Sequence, residues 1–515
     1  MKIKTEYIFY IIYFVLILPL LFLPLGLDYS IFILGGKTIA EGGKLYVDFI
    51  DIKPPFVYYF FSLIYFFFGN NTLLYQIFNL ALLFISALLL QKTAFSISNN
   101  KWLGLISPIP MLFYLISLSY NFIVQLETFF ISLFCLICLY LYNKRITIFN
   151  TNLLGIILGI AFSIKYTFGI LILPVGYILY KRKILSPKSY IYLIGPFILT
   201  SILQFIFILI QDGNLKYFLY IFQFLRYYQN VLGTDLFSIK EILNNLSLTF
   251  GTLLSLFFSI LGFYGFWITL KRYDKLPDKV QEFQLFLMIS LIALIFSIIV
   301  EHQFAPYNYT RLLPILSIYI SIGIIELYHE AKSLKPSLQL VALSLFITLF
   351  LFLSPLSRYG RNVIACYFYF TNEKKYYEFF ENPSTFNVIL KQQKEVANFL
   401  AQRLLENDTL LVVGQSPQLY TMIGKGHHSA FPLSIFILSD FPPPKEWNER
   451  FESELNNSKF IVLQRYDYSY LLTKNTENAT SYIRFNENPK YKRILENKFT
   501  LVFQTYSFLV YKRKE

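Results

Sequence analysis

Apolar residues run in long unbroken stretches through the first two thirds of the chain and in short, interrupted stretches through the last third. A helix crossing a bilayer core needs about 20 mostly apolar residues. Windows of that kind lie at 7–25, 72–91, 102–120, 127–142, 152–164, 165–180, 189–211, 246–270, 283–300, 309–327 and 336–355, which predicts eleven transmembrane helices. The stretch 54–69, PPFVYYFFSLIYFFFG, is equally apolar but short, and it opens on two prolines. It is expected to lie along the membrane surface or dip into it. Residues 152–180 read as two helices joined near Lys165, because one span of 29 residues would exceed the bilayer.

From about residue 356 the period shortens and charge becomes frequent. A helical apolar period covers 388–406, and DTLLVVG at 408–414 reads as a buried strand ending in glycine. SKFIVLQR (458–465), FTLVFQ (499–504) and YSFLVYKR (506–513) read as strands, the last two as a hairpin, and PPP at 442–444 belongs to a loop. The expected fold is an α-helical polytopic membrane protein with a C-terminal extracytoplasmic α/β domain. Its parts are a transmembrane domain, 1–355, with a long first outer loop at 26–71, and a soluble domain, 356–515.

Composition agrees with this class and excludes others. The 515 residues are 56% hydrophobic and only 15% charged, against about 25% charged in soluble globular proteins. Three cysteines rule out a disulfide scaffold. The net charge of +14 does not suggest nucleic acid in so apolar a chain. It is a topology signal instead, since basic residues in short loops mark the cytoplasmic side. With the N-terminus inside, the cytoplasmic segments of 1–355 carry 16 basic and 6 acidic residues. The opposite side carries 8 basic and 9 acidic. The first helix lacks a small-residue cleavage site and reads as retained rather than as a signal peptide.

Ionisable groups at membrane depth are costly and mark functional sites by default. The outer loop GLDYSIFILGGKTIAEGGKLYVDFIDIKPP (26–55) places Asp28 directly after the first span and gathers Tyr46, Asp48, Asp51 and Lys53 before a proline pair. Its two glycine pairs permit close backbone approach. An amphipathic loop with solvated charges is the plainer reading of the same residues. Glu127 opens a span in SYNFIVQLETFF, where it is either a helix-capping carboxylate or a second catalytic acid. Lys165, in GIAFSIKYTFGI, either snorkels to the interface or binds an anion. Arg311, in EHQFAPYNYTRLLP, has Glu301 and His302 close in sequence, and Arg226 is a weaker candidate of the same kind. Carboxylates and cations at one lipid boundary suit a phosphate-bearing substrate and a hydroxyl to be deprotonated.

The order Asp28, a glycine pair, then LYVDFIDIKPP resembles the first outer loop of C-type polytopic membrane glycosyltransferases. Within these it is most similar to the bacterial aminoarabinose transferases and the protein O-mannosyltransferase relatives. VVGQSPQLYTMIGK (412–425) is similar to the soluble domain of such proteins. The resemblance implies transfer of a sugar, with inversion, from a polyprenyl-phosphate donor to a lipid, glycan or protein acceptor. It implies residence in a bacterial inner membrane, among membrane lipids, with the active site extracytoplasmic. Asp28 then matches the catalytic acid, Glu127 supports it, and Lys53, Lys165 and Arg311 hold the donor phosphate. Tyr46 and Asp48 join the substrate-binding set. No cofactor is specified, and a divalent metal requirement is left open. The mannosyltransferase branch carries Asp-Glu where this chain has Asp28-Tyr29, so acceptor specificity does not carry over.

Two other classes compete with the enzyme. A transporter or flippase for lipid-linked sugars could use the same cations, although the paired, broken half-helices of transporters are not evident. A non-catalytic envelope scaffold is the third reading. Cys135-Leu-Ile-Cys138 lies mid-span and reads as packing, His427-His428 lacks a nearby cysteine for a metal site, and the sequons at Asn308 and Asn478 carry little weight in an Asn-rich chain.

Overall fold

The computed structural model describes residues 5–142, 146–182, 190–210, 215–231, 240, 243–244, 247, 253–301, 305–381, 389–467, 472–473 and 479–515. Lys2, Lys4, Lys144, Arg145, Lys183 and Lys188 of the orientation argument, together with His302 and Asn478, lie outside the described residues.

Each apolar window coincides with helical structure among the described residues. Seven helices are long and apolar enough to cross a membrane: Thr5–Phe22, Thr72–Ser98, Tyr120–Tyr142, Ile191–Ile210, Asp278–Glu301, Pro306–Lys332 and Pro336–Leu353. The other four windows form shorter apolar helices, Lys101–Ile116, Ile148–Ile164, Tyr166–Lys181 and Ser255–Lys271. At about 1.5 Å per residue such pieces reach roughly 25 Å, short of an apolar core of about 30 Å. Among the described residues, seven helices meet the length requirement. Local breaks account for part of the shortening. Pro108 starts a new helical piece and divides Lys101–Ile106 from Pro108–Ile116. Lys165 is extended, with φ −154° and ψ 119°, so residues 152–180 form two helical pieces joined at that lysine.

The segment expected to be a loop at 26–55 contains a helix, Leu27–Ala40, that packs along the helix Pro55–Phe68. Two adjacent glycines disfavour a helix by about 1 kcal/mol each, which is why the sequence reads as a loop there. Packing reverses that preference. A Cβ at Gly36 would lie 2.5 Å from the backbone carbonyl carbon of Phe61, and one at Gly35 would lie 2.3 Å from Cδ1 of Tyr58. The glycines thus let the two helices touch nearly backbone to backbone, with Tyr29 and Phe32 set against Phe61 at 5.3 and 5.4 Å between ring centroids. Gly36→Ala is expected to cost about 1–3 kcal/mol by overpacking, read as a lower unfolding midpoint in detergent. A wild-type midpoint would refute this contact.

The chain forms two units. One comprises Met1–Pro24, Tyr75–Leu203 and Asp235–Cys366, and the other Leu25–Leu74, Gln204–Thr234 and Tyr367–Glu515. Within the first, Leu253–Lys271 packs against Leu313–Lys332 around Phe257, Leu261 and Ile320.

The second unit contains a four-stranded sheet of β1 (Leu410–Val413), β2 (Phe460–Gln464), β3 (Phe499–Gln504) and β4 (Phe508–Arg513), in the order β1-β2-β4-β3. β1 and β2 are parallel, β4 runs antiparallel to β2, and β3 and β4 form the expected hairpin, with a bulge between Leu501 and Phe503. Every residue of β1 and β2 is buried, whereas β3, at one edge, buries only Phe499. The helix Leu215–Val231 lays aromatic side chains on this α/β portion. Tyr220 and Tyr227 donate to the carbonyls of Pro442 (2.8 Å) and Leu472 (3.0 Å), and Phe224 packs on Phe436. The segment before Pro54 is tied to the same portion. Ile50 N–H donates to the Ala430 carbonyl at 2.9 Å, and Arg450 pairs with Asp48 at 3.3 Å.

Candidate functional site

Buried charge gathers in two places, one in each unit. In the second unit, Asp28 occupies the first turn of Leu27–Ala40, where the helix N-terminus favours a carboxylate. Lys53 precedes Pro54, and a residue before proline is held out of the helical region. The chain bends at Ile52 and Lys53 before it enters the helix Pro55–Phe68. The Lys53 ammonium meets Asp28 Oδ1 at 2.8 Å, and each side chain is 19% exposed. Asp51 Oδ2 lies 3.9 Å from the same nitrogen, and that side chain is 0% exposed. The Tyr58 hydroxyl donates to Asp51 Oδ2, while Asp51 Oδ1 has no hydrogen-bond partner among the described residues. Burial works against the Lys53 charge, but the Asp28 and Asp51 carboxylates more than offset it, with a smaller contribution from Tyr228. The net effect raises the Lys53 pKa, so the ammonium stays charged.

Tyr46 and Asp48 shape this centre through the backbone. Tyr46 adopts φ 65°, a strained value for an aromatic residue, and its N–H donates to the Phe49 carbonyl at 2.7 Å. Its hydroxyl donates to the carbonyl of Lys53 at 3.2 Å. Asp48 Oδ2 accepts the Lys44 N–H at 2.9 Å, and its Oδ1 faces Arg450. Arg226 is exposed, and Tyr228 on the same helix is the residue electrostatically coupled to Lys53.

In the first unit, Glu127, Lys165 and Arg311 come together with Glu301 and Asn308. The helical break at Lys165 and the 3₁₀ turn Pro306–Leu312 present the two cations. Lys165 Nζ donates to Glu127 (2.6 Å), Glu301 (2.7 Å) and Asn308 (2.8 Å), which engages all three ammonium hydrogens. Arg311, 0% exposed, grips both Glu301 oxygens at 2.7 and 2.9 Å and reaches Glu127 at 2.9 Å and Ser297 at 2.8 Å. The Thr167 hydroxyl also donates to Glu301. Two carboxylates and two cations balance, which is the condition under which buried charge is tolerated. Asn308, noticed in the sequence only as a sequon, is fully buried in this network.

The sequence-derived residues thus divide between the units. Asp28, Lys53, Tyr46 and Asp48 share one, and Glu127, Lys165 and Arg311 share the other. Asp51 and Glu301 were visible as neighbours but not as principal groups. Tyr58 and Tyr228 sit in aromatic runs that carry no distinguishing pattern. Cys135 and Cys138 are buried free thiols. His428 lies in the second unit, where Nδ1–H donates to the Ser429 carbonyl (2.8 Å) and Nε2 meets the Thr38 hydroxyl (3.0 Å). Burial pushes its pKa down to about 4, so the ring is neutral at neutral pH. Among the described residues, no three His, Cys, Asp or Glu side chains are placed to hold a metal ion.

No protein-family model and no curated protein matches the sequence. Solved structures do match, and the chain shares their fold. The crystal structure of ArnT from Cupriavidus metallidurans bound to undecaprenyl phosphate aligns with a TM-score of 0.56 at 13% identity, over 98% of this chain and 97% of that one. The apo form of the same protein aligns over the same shares with a TM-score of 0.54 and 13% identity. Identity this low speaks for the fold, and the chemistry has to be argued from the residues.

Proposed function

We propose that the protein is an integral membrane glycosyltransferase that takes a sugar from a polyprenyl-phosphate donor. The acceptor is a lipid, glycan or protein on the extracytoplasmic face of a bacterial inner membrane. The observation that carries this reading is the partly exposed Asp28–Lys53 pair, 2.8 Å apart, where two helices begin. The fold shared with a protein solved with undecaprenyl phosphate supports it. In the reaction, the acceptor hydroxyl oxygen attacks the anomeric carbon as the bond from that carbon to the phosphate oxygen breaks. Asp28 takes the hydroxyl proton, and the leaving polyprenyl phosphate carries away the bonding pair, stabilised by the Lys53 ammonium. Attack opposite the leaving group inverts the anomeric centre.

Glu127, Lys165 and Arg311 have a different part in this reading. The hydrogens of Lys165 and nearly all those of Arg311 are engaged by Glu127, Glu301, Asn308 and Ser297. We assign them to holding the broken helices in place, and give the phosphate to Lys53. The test is a transfer assay on purified full-length protein with a polyprenyl-phosphate sugar. Lys53→Met is expected to lower kcat/KM by about 10- to 100-fold, the worth of one charged hydrogen bond, mainly through KM for the donor. An unchanged KM and kcat would remove Lys53 from the phosphate site.

A further inference from the structure

We infer that Asp51 is a positioning residue, a second docking place to which the Lys53 ammonium moves when Asp28 acts as a base. The inference rests on the function proposed above. A carboxylate paired with an ammonium at 2.8 Å, as Asp28 is, has part of its basicity occupied, and accepting a proton while so paired is disfavoured. Lys53 must therefore exchange that contact for one with another carboxylate during the reaction, while a second of its three ammonium hydrogens stays on the donor phosphate.

Asp51 is placed to receive it. Its Oδ2 is 3.9 Å from the ammonium nitrogen, too far for a hydrogen bond but close enough for a small side-chain rotation to close the gap. Asp51 is 0% exposed, and Oδ1 has no partner among the described residues. A buried carboxylate oxygen without a donor is unfavourable, so the arrangement with Lys53 on Asp28 leaves Asp51 incompletely satisfied. Movement of the ammonium gives the Asp51 carboxylate a charged donor at Oδ2 while freeing Asp28. Asp51 itself is held still. Tyr58 donates to its Oδ2, Gly35 lets the Tyr58 ring lie against the neighbouring helix, and the Ile50 N–H is fixed to the Ala430 carbonyl at 2.9 Å. The last contact gives the α/β portion a definite part, since it anchors the backbone next to Asp51. When Lys53 leaves Asp28, the Asp28 oxygens face the acceptor hydroxyl and accept its proton. When Lys53 returns, the starting arrangement is restored.

Two measurements decide the matter. The first is an experimental structure of full-length Asp28→Asn protein, in which the charge drawing Lys53 to position 28 is gone. The Lys53 nitrogen should then lie about 2.8 Å from an Asp51 oxygen. A nitrogen that stays with the substituted amide at position 28 would overturn the proposal. The second is steady-state transfer by Asp51→Asn, which keeps the shape and removes the charge. A kcat about tenfold lower or less is expected, with donor KM changed by less than about threefold and partial recovery in Asp51→Glu. Wild-type kcat in Asp51→Asn, or Asp51→Glu no better than Asp51→Asn, would count against the positioning role. Failure of the wild-type protein to transfer any sugar would overturn the enzymatic reading instead, and the Asp28→Asn structure would still decide where Lys53 docks.

Discussion

Asp28→Asn is expected to lower the rate of sugar transfer by about 10²- to 10⁴-fold, the range attributed to a positioned general base. The substitution keeps the side chain's size and removes only its charge, so its fold should survive. The Asp28 and Lys53 side chains are each 19% exposed, and partly solvated ion pairs contribute only about 1 kcal/mol. The unfolding midpoint should therefore move little while kcat collapses. A simple helix-terminus carboxylate would give the opposite result, a modest loss of stability and a nearly normal rate. Comparison of kcat with thermal unfolding in the same detergent distinguishes the two. Full retained activity would remove Asp28 from the chemistry.

Arg311→Met should have the largest effect on stability. It removes the cation that grips both oxygens of Glu301 and touches Glu127, leaving two nearly buried carboxylates to share Lys165. Breaking a buried pair by deleting one partner costs about 3–5 kcal/mol, enough to unfold a marginal protein. Replacing Glu301 by Gln in the same chain restores neutrality, with Glu127 left to Lys165, and should recover part of the loss. The measurements are unfolding midpoints of the wild type, the single variant and the double variant. An Arg311→Met protein as stable as the wild type would show that the network does not hold the helices, and would return Arg311 to the phosphate-holding set.

Much of the fold is legible in the sequence because its signals are strong. Apolar runs give the helices, the break at Lys165 follows from the length of 152–180, and all four strands stand at the positions their β-rich patterns mark. What the pattern conceals is mostly tertiary. The helix Leu27–Ala40 contains a glycine pair that argues against it locally, and only the facing Tyr58 and Phe61 explain why it forms. The length of an apolar window overstates a helix where a proline such as Pro108 divides it.

The site was legible in its parts but not in its pairings. Lys53 stands out because it precedes two prolines, and Asp28 because it follows a span. Their 2.8 Å contact depends on how two helices pack. Lys165 and Arg311 look alike in sequence, as cations beside apolar residues. In space both meet Glu127 and Glu301, which lie 38 and 136 positions from Lys165. Asp51 is one of four acids in its loop, and nothing in the sequence tells the buried one from Asp48, which Arg450 and the Lys44 amide hold.

The most direct measurement is mass spectrometry of the lipid carrier after purified protein is incubated with a polyprenyl-phosphate-linked sugar and an envelope extract as acceptor. The wild type should release free polyprenyl phosphate together with a newly glycosylated acceptor, and Asp28→Asn should release almost none. Equal release by both proteins, or an intact donor with the wild type across envelope acceptors, would contradict the account.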